Sequence, residues 1–163
     1  MVVVLGIDPG TAHTGYGVVL ARGRTLAALD GGVLYTGKDD PMELRLAQIH
    51  GHVSDLIERH EPGAMAVEDL FFGQNARSAF AVGQARGAVM LAAGQAGIRC
   101  HSYTPQAVKQ AVCGNGRAEK GQVQRMVGAL LSLDAPPEPD HAADALAVAI
   151  CHANSAVLKE VLA

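Results

Sequence analysis

A run of apolar, largely β-branched residues, Val2-Val3-Val4-Leu5-Gly6-Ile7, ends on Asp8 and is stopped at once by Pro9-Gly10. Such a run, closed by two turn residues, reads as a strand with a carboxylate at its end. Tyr16–Leu20 and Leu26–Tyr35 have the same character, and Ala21-Arg22-Gly23-Arg24 between them has the length and the glycine of a hairpin turn. The chain is therefore expected to open with three antiparallel strands.

Helices and strands alternate after that. Asp40-Pro41-Met42-Glu43 is expected to start a helix, with Asp40 as the cap, Pro41 at the first helical position and Glu43 at the third. Leu46, Ile49, Val53, Leu56 and Ile57 follow at helical spacing, and Pro62-Gly63 stops the run. Ala64–Glu68 is a short apolar strand that again closes on an acid, and the helix before it favours a parallel neighbour. A small-residue helix over Ala76–Gln95, capped by Gly97, leads to a fifth strand over Ile98–Ser102. Thr104-Pro105 then starts a helix through Val112, and a helix carrying Val123, Met126, Val127, Leu130 and Leu131 follows the Gly114-Asn115-Gly116 turn. Beyond the stiff Pro136–Pro139 segment, a final helix from Asp140 puts His141 and Asp144 on one face, three residues apart.

At 163 residues, with 49% hydrophobic and 18% charged side chains, the chain is sized for one domain, residues 1–163, and has ample material for a core. That composition excludes the disordered classes. The apolar stretches Met1–Ile7 and Ala88–Ala93 fall far short of a membrane span, so a soluble, untargeted, cytoplasmic protein is expected. Cys100, Cys113 and Cys151 are too few and too widely spaced for a disulfide framework or a zinc knuckle. The net charge of −3 conceals a segregation: residues 71–131 carry 7 Lys/Arg against Glu119 alone, whereas the flanking segments are acidic. A basic block of this kind suits phosphates.

Asp8, Glu68, His141 and Asp144 all fall at the ends of elements, a placement that suits divalent metal ions. Hard cations take carboxylate oxygens, and two of them about 3.5–4 Å apart stabilise both the attacking and the leaving oxygen of phosphoryl transfer. A phosphodiester is the natural substrate. Taken singly, each acid is as well explained by a turn or a solvated end; it is the set that points to chemistry.

The motifs Gly6-Ile7-Asp8-Pro9-Gly10-Thr11, Gly15-Tyr16-Gly17, Val67-Glu68, Gly83-Gln84-Ala85-Arg86-Gly87, Gln106–Gln110, Ala118-Glu119-Lys120 and His141–Ala147 occur in this order over nearly the whole chain. Together they resemble the RuvC family of Holliday-junction resolvases. The resemblance implies an α/β, RNase H-like fold: a mixed five-stranded sheet, three strands antiparallel and two parallel, flanked by helices. It also implies a homodimer that nicks two strands symmetrically across four-way junction DNA in recombination and repair. The implied reaction is two-metal-ion hydrolysis leaving a 5′ phosphate and a 3′ hydroxyl, with Mg²⁺ or Mn²⁺, two per site, as cofactor and the RuvA–RuvB branch-migration machinery as partner. Asp8, Glu68 and Asp144 take the places of the family's catalytic acids. His141 stands where many members carry a further Asp, and because imidazole suits Mn²⁺ better than Mg²⁺, Mn²⁺ is expected to be preferred. A ligating histidine must be neutral, so activity should fall as pH drops.

For DNA, Arg77, Lys109, Arg117 and Lys120 are placed to meet phosphates, while Arg86 and Arg125 read as solvated or as dimer contacts. Phe71 and Phe72, with Asn75, follow Glu68 in a connecting segment where an aromatic ring could stack on unpaired bases at the junction. The small-residue helix 76–95 is the expected dimer face. His13, read as part of the turn after Asp8, is a weaker DNA candidate, and His50, His52 and His60 read as a solvated helix. Three rivals remain at this stage: an actin-like ATP-dependent phosphotransferase, a related RNase H-like nuclease acting on RNA, and a non-catalytic junction-binding protein. Neither phosphate-binding glycine fingerprint is complete, since Leu20 stands at the required third position after Gly15 and Gly17.

Overall fold

The computed structural model describes residues 1–69 and 76–163; Phe71, Phe72 and Asn75 lie outside the described residues. Strands β1 (Val2–Asp8), β2 (His13–Arg22) and β3 (Thr25–Tyr35) form the antiparallel meander. Helix α1 (Met42–His60), strand β4 (Ala64–Glu68), helix α2 (Ala76–Gln95) and strand β5 (Cys100–Tyr103) follow, then α3 (Pro105–Cys113), α4 (Lys120–Leu130) and α5 (Asp140–Leu162). The sheet runs in the order β3-β2-β1-β4-β5, with β1–β4 and β4–β5 parallel. This is the expected mixed five-stranded RNase H-like sheet.

Alternation along the strands divides the core in two, because successive side chains point to opposite faces. Leu5, Ile7, Val18, Met65 and Val67 pack with α1 and α2, whereas Val4, Val19 and Ala66 pack with α3, α4 and α5. Asp8 is in phase with Val4 and Gly6, and so faces α5. The buried stripe of α1 contains a charge, Arg45, one turn before Ile49 and 8% exposed. Its Nε donates to Thr36 Oγ1 at 3.0 Å, and the Thr36 hydroxyl donates in turn to the Thr11 carbonyl. The buried Thr14 hydroxyl donates to the Gly10 carbonyl at 2.6 Å. These bonds tie down the connection that follows Asp8.

Several boundaries differ from expectation. β2 begins at His13 rather than Tyr16, because its ladder with β1 continues until Gly15 is opposite Asp8. His13 is thus a strand residue and not part of a turn. β5 sits further along the chain than expected, since its parallel register pairs Met65 with Cys100 and Glu68 with Tyr103. Asp40 does not cap α1: Pro41 is the capping residue without a side-chain bond, its carbonyl accepts from both Leu44 and Arg45, and Asp40 belongs to the turn whose amide bonds Gly37. The Thr104 cap of α3 is present, accepting from the Ala107 amide at 3.1 Å.

The histidines of α1 are not simply solvated. His50 bonds Gln95 of α2 at 2.7 Å, His52 packs edge-on against Tyr16, and His60 pairs with Asp30 at 2.9 Å. α5 runs to Leu162, and by length and composition this helix could cross a membrane, which the short apolar runs in the sequence did not suggest. Half of that stretch is buried inside the fold, where Ala142 to Ala153 pack on the sheet.

Candidate active site

The site forms where the C-terminal ends of two parallel strands meet the first turn of α5. Ile7 pairs with Val67 in parallel register, so Asp8 and Glu68, each one residue on, leave the sheet side by side. Three glycines bring α5 down onto them. Gly6 and Gly17 are register partners, and Gly15 is the partner of Asp8. A methyl group at Gly6 would overlap the Ala145 carbonyl, one at Gly15 the His141 carbonyl, and one at Gly17 would lie 2.6 Å from Leu146 Cδ2. Only a sheet face without side chains at these positions lets the helix backbone approach this closely. The alanine-rich underside of α5 completes the fit.

His141 and Asp144 are carried to Asp8 by that close approach. His141 Nδ1 donates to Asp8 Oδ2 at 2.9 Å. One potential ligand atom from each of Asp8, His141 and Asp144 lies within 4.8 Å of the others. Burial raises the Asp8 carboxyl above its ordinary range, against the lowering effect of the His141 hydrogen bond. Burial, and then the charge of Asp8, raises Asp144. Glu68 is pushed furthest, to about 7, by burial and then by the negative charge of Asp8 and Asp144. Three carboxyls raised chiefly by burial, with Glu68 and Asp144 raised further by neighbouring negative charge, suit a multivalent cation, which would compensate for both effects.

Two lysines face the same recess. Glu68, Lys109, Lys120 and Asp144 line one cleft, with Val108, Val123 and Ala147 as its apolar wall. Lys120, at the start of α4, lies 3.1 Å from Asp140 and 3.9 Å from Asp144. Sequence reasoning assigned Lys120 to DNA phosphates; here its ammonium is engaged with the acids of α5. Arg117 is exposed in the preceding loop, where its amide bonds the Asn115 side chain, and Arg77 is exposed in the first turn of α2. Arg86 is not simply solvated: it bonds Asp69, the residue after Glu68, at 3.3 Å and also reaches Ser102.

Sequence reasoning missed the glycine seat and the Arg45–Thr36 brace. The brace had a signal, an arginine on the apolar stripe of a helix; the seat had none until the β1–β2 register was known.

The match to known proteins is extensive. Residues 4–152 fit the family model of crossover junction endodeoxyribonuclease RuvC. The RuvC enzyme of Moorella thermoacetica is 55% identical over 154 residues, 94% of this chain and 92% of that one. That of Desulforamulus reducens is 53% identical over 93% of each chain. The structure of Thermus thermophilus RuvC in complex with Holliday junction substrate superposes with a TM-score of 0.94 at 42% identity, covering 98% of this chain and 97% of that one. The sheet order, the clustered acids and these matches together place the chain in the RuvC family of crossover junction endodeoxyribonucleases.

Proposed function

We infer that this chain is a divalent-metal-dependent endodeoxyribonuclease that binds four-way DNA junctions and resolves them by hydrolysing phosphodiesters. The observation that carries the reading is the convergence of Asp8, His141 and Asp144 beside Glu68, in a chain so similar to RuvC enzymes. Asp8, Glu68, His141 and Asp144 would hold the metal ions. When bound, divalent ions supply Lewis acidity to the scissile phosphate and favour the ionised form of water near it.

The rest of the chemistry falls to the chain itself. The carboxyls raised chiefly by burial must lose their protons before they can ligate, and Glu68, the most raised, is the last to do so in the metal-free site. Lys109, which lines the same cleft as Glu68 and Asp144, gives a phosphate a positive partner there. Lys120 screens Asp144 and Asp140 from that phosphate, whose negative charge they would otherwise repel. The products carry a 5′ phosphate and a 3′ hydroxyl, with no covalent intermediate. Arg77, Lys109 and Arg117 contribute phosphate affinity that is independent of sequence. Phe71 and Phe72, with Asn75, are assigned to the junction centre on the resemblance alone.

Residues 1–163 act as one nuclease domain, in the cytoplasm, with RuvA–RuvB as the source of positioned junctions. His141 in the ligand set favours Mn²⁺ over Mg²⁺. The enzyme is a homodimer whose interface includes the exposed stripe of α2, where Phe80 and Leu91 flank open space at Gly87 and Gly94.

A labelled synthetic four-way junction and a matched linear duplex, incubated with Mn²⁺, Mg²⁺ or EDTA, test the reading against a Glu68→Gln variant. Paired, ligatable nicks in the junction alone, lost with EDTA and in the variant, are expected. Binding without cutting under all conditions would leave a junction-binding scaffold, and cutting of RNA alone would move the substrate class. Equal rates and equal affinities with both metals would remove the Mn²⁺ preference.

A further inference from the structure

The face of β2 turned toward α5 begins with His13, Gly15 and Gly17. Gly15 and Gly17 lie beneath the helix at His141 and Leu146. His13, two residues earlier on the same face, therefore meets the first turn of α5 edge to edge with the active site. Its imidazole stacks on that of His141, with centroids 5.2 Å apart and planes inclined by 10°. Tyr35, its partner across the β2–β3 ladder, packs against it at right angles, with centroids 5.1 Å apart and an interplanar angle of 82°.

The arrangement matters because His141 is not sunk in the core: its side chain is 43% exposed. The 2.9 Å bond from Nδ1 to Asp8 fixes one atom of the ring, and rotation about that bond would still swing the rest. A second ring lying flat against the first restricts that rotation, and Tyr35, although 61% exposed, packs edge-on behind the second ring and limits its movement. Partners behind a ligating histidine set its orientation and hence the strength of the metal site.

We propose that His13 is a positioning residue: braced by Tyr35, it stacks on His141 and sets the plane in which that imidazole faces Asp8 and the metal. The inference rests on His141 being a ligand of the nuclease centre. It assigns His13 a role through its ring face, and not through a nitrogen that reaches DNA.

Wild type, His13→Ala and His13→Phe distinguish these roles. The readouts are calorimetric titration with Mn²⁺, the imidazole nitrogen resonances of His141 in the metal-free protein, and junction affinity in EDTA. In the alanine variant, Mn²⁺ binding is expected to weaken by about tenfold or more, and the His141 resonances to broaden or shift. The phenylalanine variant, which keeps a stacking ring without nitrogens, is expected to restore both. A phenylalanine variant as weak in Mn²⁺ binding as the alanine one overturns the proposal, as does an alanine variant with unchanged metal binding and unchanged His141 resonances. Loss of junction affinity in both variants with metal binding intact also overturns it, and makes His13 a DNA contact. A parallel His141→Ala variant separates the two levels: full metal binding and full cutting there would defeat the ligand reading of His141, whereas the His141 resonances in the His13 variants report on positioning alone.

Discussion

Glu68 is the residue on which the electrostatics of the site converge. Its carboxyl is held at about 7 by burial and by Asp8 and Asp144, against an ordinary value of 4.5. A carboxyl raised in the folded state binds a proton there that the unfolded chain has already lost between pH 4.5 and 7. The metal-free protein should therefore lose stability as pH rises through that window, and not as it falls. The expected melting curve of the EDTA-treated protein shifts down between pH 5 and pH 8, on the order of 1.4 kcal/mol for each unit by which the carboxyl is raised. Glu68→Gln should flatten the slope and melt higher than wild type at pH 8, with Mn²⁺ restoring wild type but not the variant. A slope of the opposite sign would mean that the three acids are not crowded together. Metal binding should strengthen with pH over the same range, because Glu68 must be ionised to ligate. Asp8 and Glu68 were legible in the sequence as acids closing short apolar runs, since a strand end is a local event. The state of Glu68 was not, because it depends on burial in the folded chain and on two acids 60 and 76 residues away in the sequence.

At the scale of elements, the site exists because α5 lies almost in contact with the backbone of β1 and β2. Each of Gly6, Gly15 and Gly17 faces a different point on the helix, so an added methyl at any of them must lift it. Gly6→Ala sets a Cβ against the Ala145 carbonyl, a backbone atom that cannot swing aside. Overpacking of this kind costs roughly 1–3 kcal/mol, occasionally more. Cutting should fall much further than stability, since His141 and Asp144 move with the helix while Asp8 stays in the sheet. Gly51→Ala on α1, where a Cβ meets nothing, is the control in the same assay and should melt no lower than wild type. If Gly6→Ala melts and cuts like wild type, the glycines do not set the helix height. The elements themselves were largely readable: β4 and α2 fall on the expected residues because glycine, proline and a change of period mark their ends. What failed at this scale was pairing. β2 was read short at its start and β5 was displaced, since a ladder is extended or shifted by its neighbour and not by its own sequence. The Asp40 cap failed for a similar reason, the preceding turn having taken that residue first.

The paired incision proposed for this chain would be a property of the whole assembly. Among the described residues one chain holds one cluster of Asp8, His141 and Asp144, beside Glu68, and two cuts related by symmetry require two clusters related by the same axis. The surface best suited to that axis is the outer face of α2, where Phe80 is 69% and Leu91 55% exposed, with Met90 beside them. Three exposed large apolar side chains on a helix whose other face already packs against α1 and β5 are unusual for a surface that meets only water. Phe80→Asp should therefore convert a dimer into monomers by light scattering at micromolar concentration, without lowering the melting temperature by more than a surface change would. Mn²⁺ binding should survive, because His141 and the acids lie on the sheet and on α5. Junction cutting should not survive as paired nicks: single nicks at unrelated positions, or none, are expected, and bound junction should dissociate faster because each monomer offers Lys109, Arg117 and Arg77 only once. Raising the salt should weaken the variant along a shallower slope than wild type, since fewer phosphates are neutralised in each complex. A Phe80→Asp protein that remains dimeric would place the axis elsewhere on the surface. A monomer that still makes coordinated, ligatable nicks would break the link between symmetry of assembly and symmetry of incision.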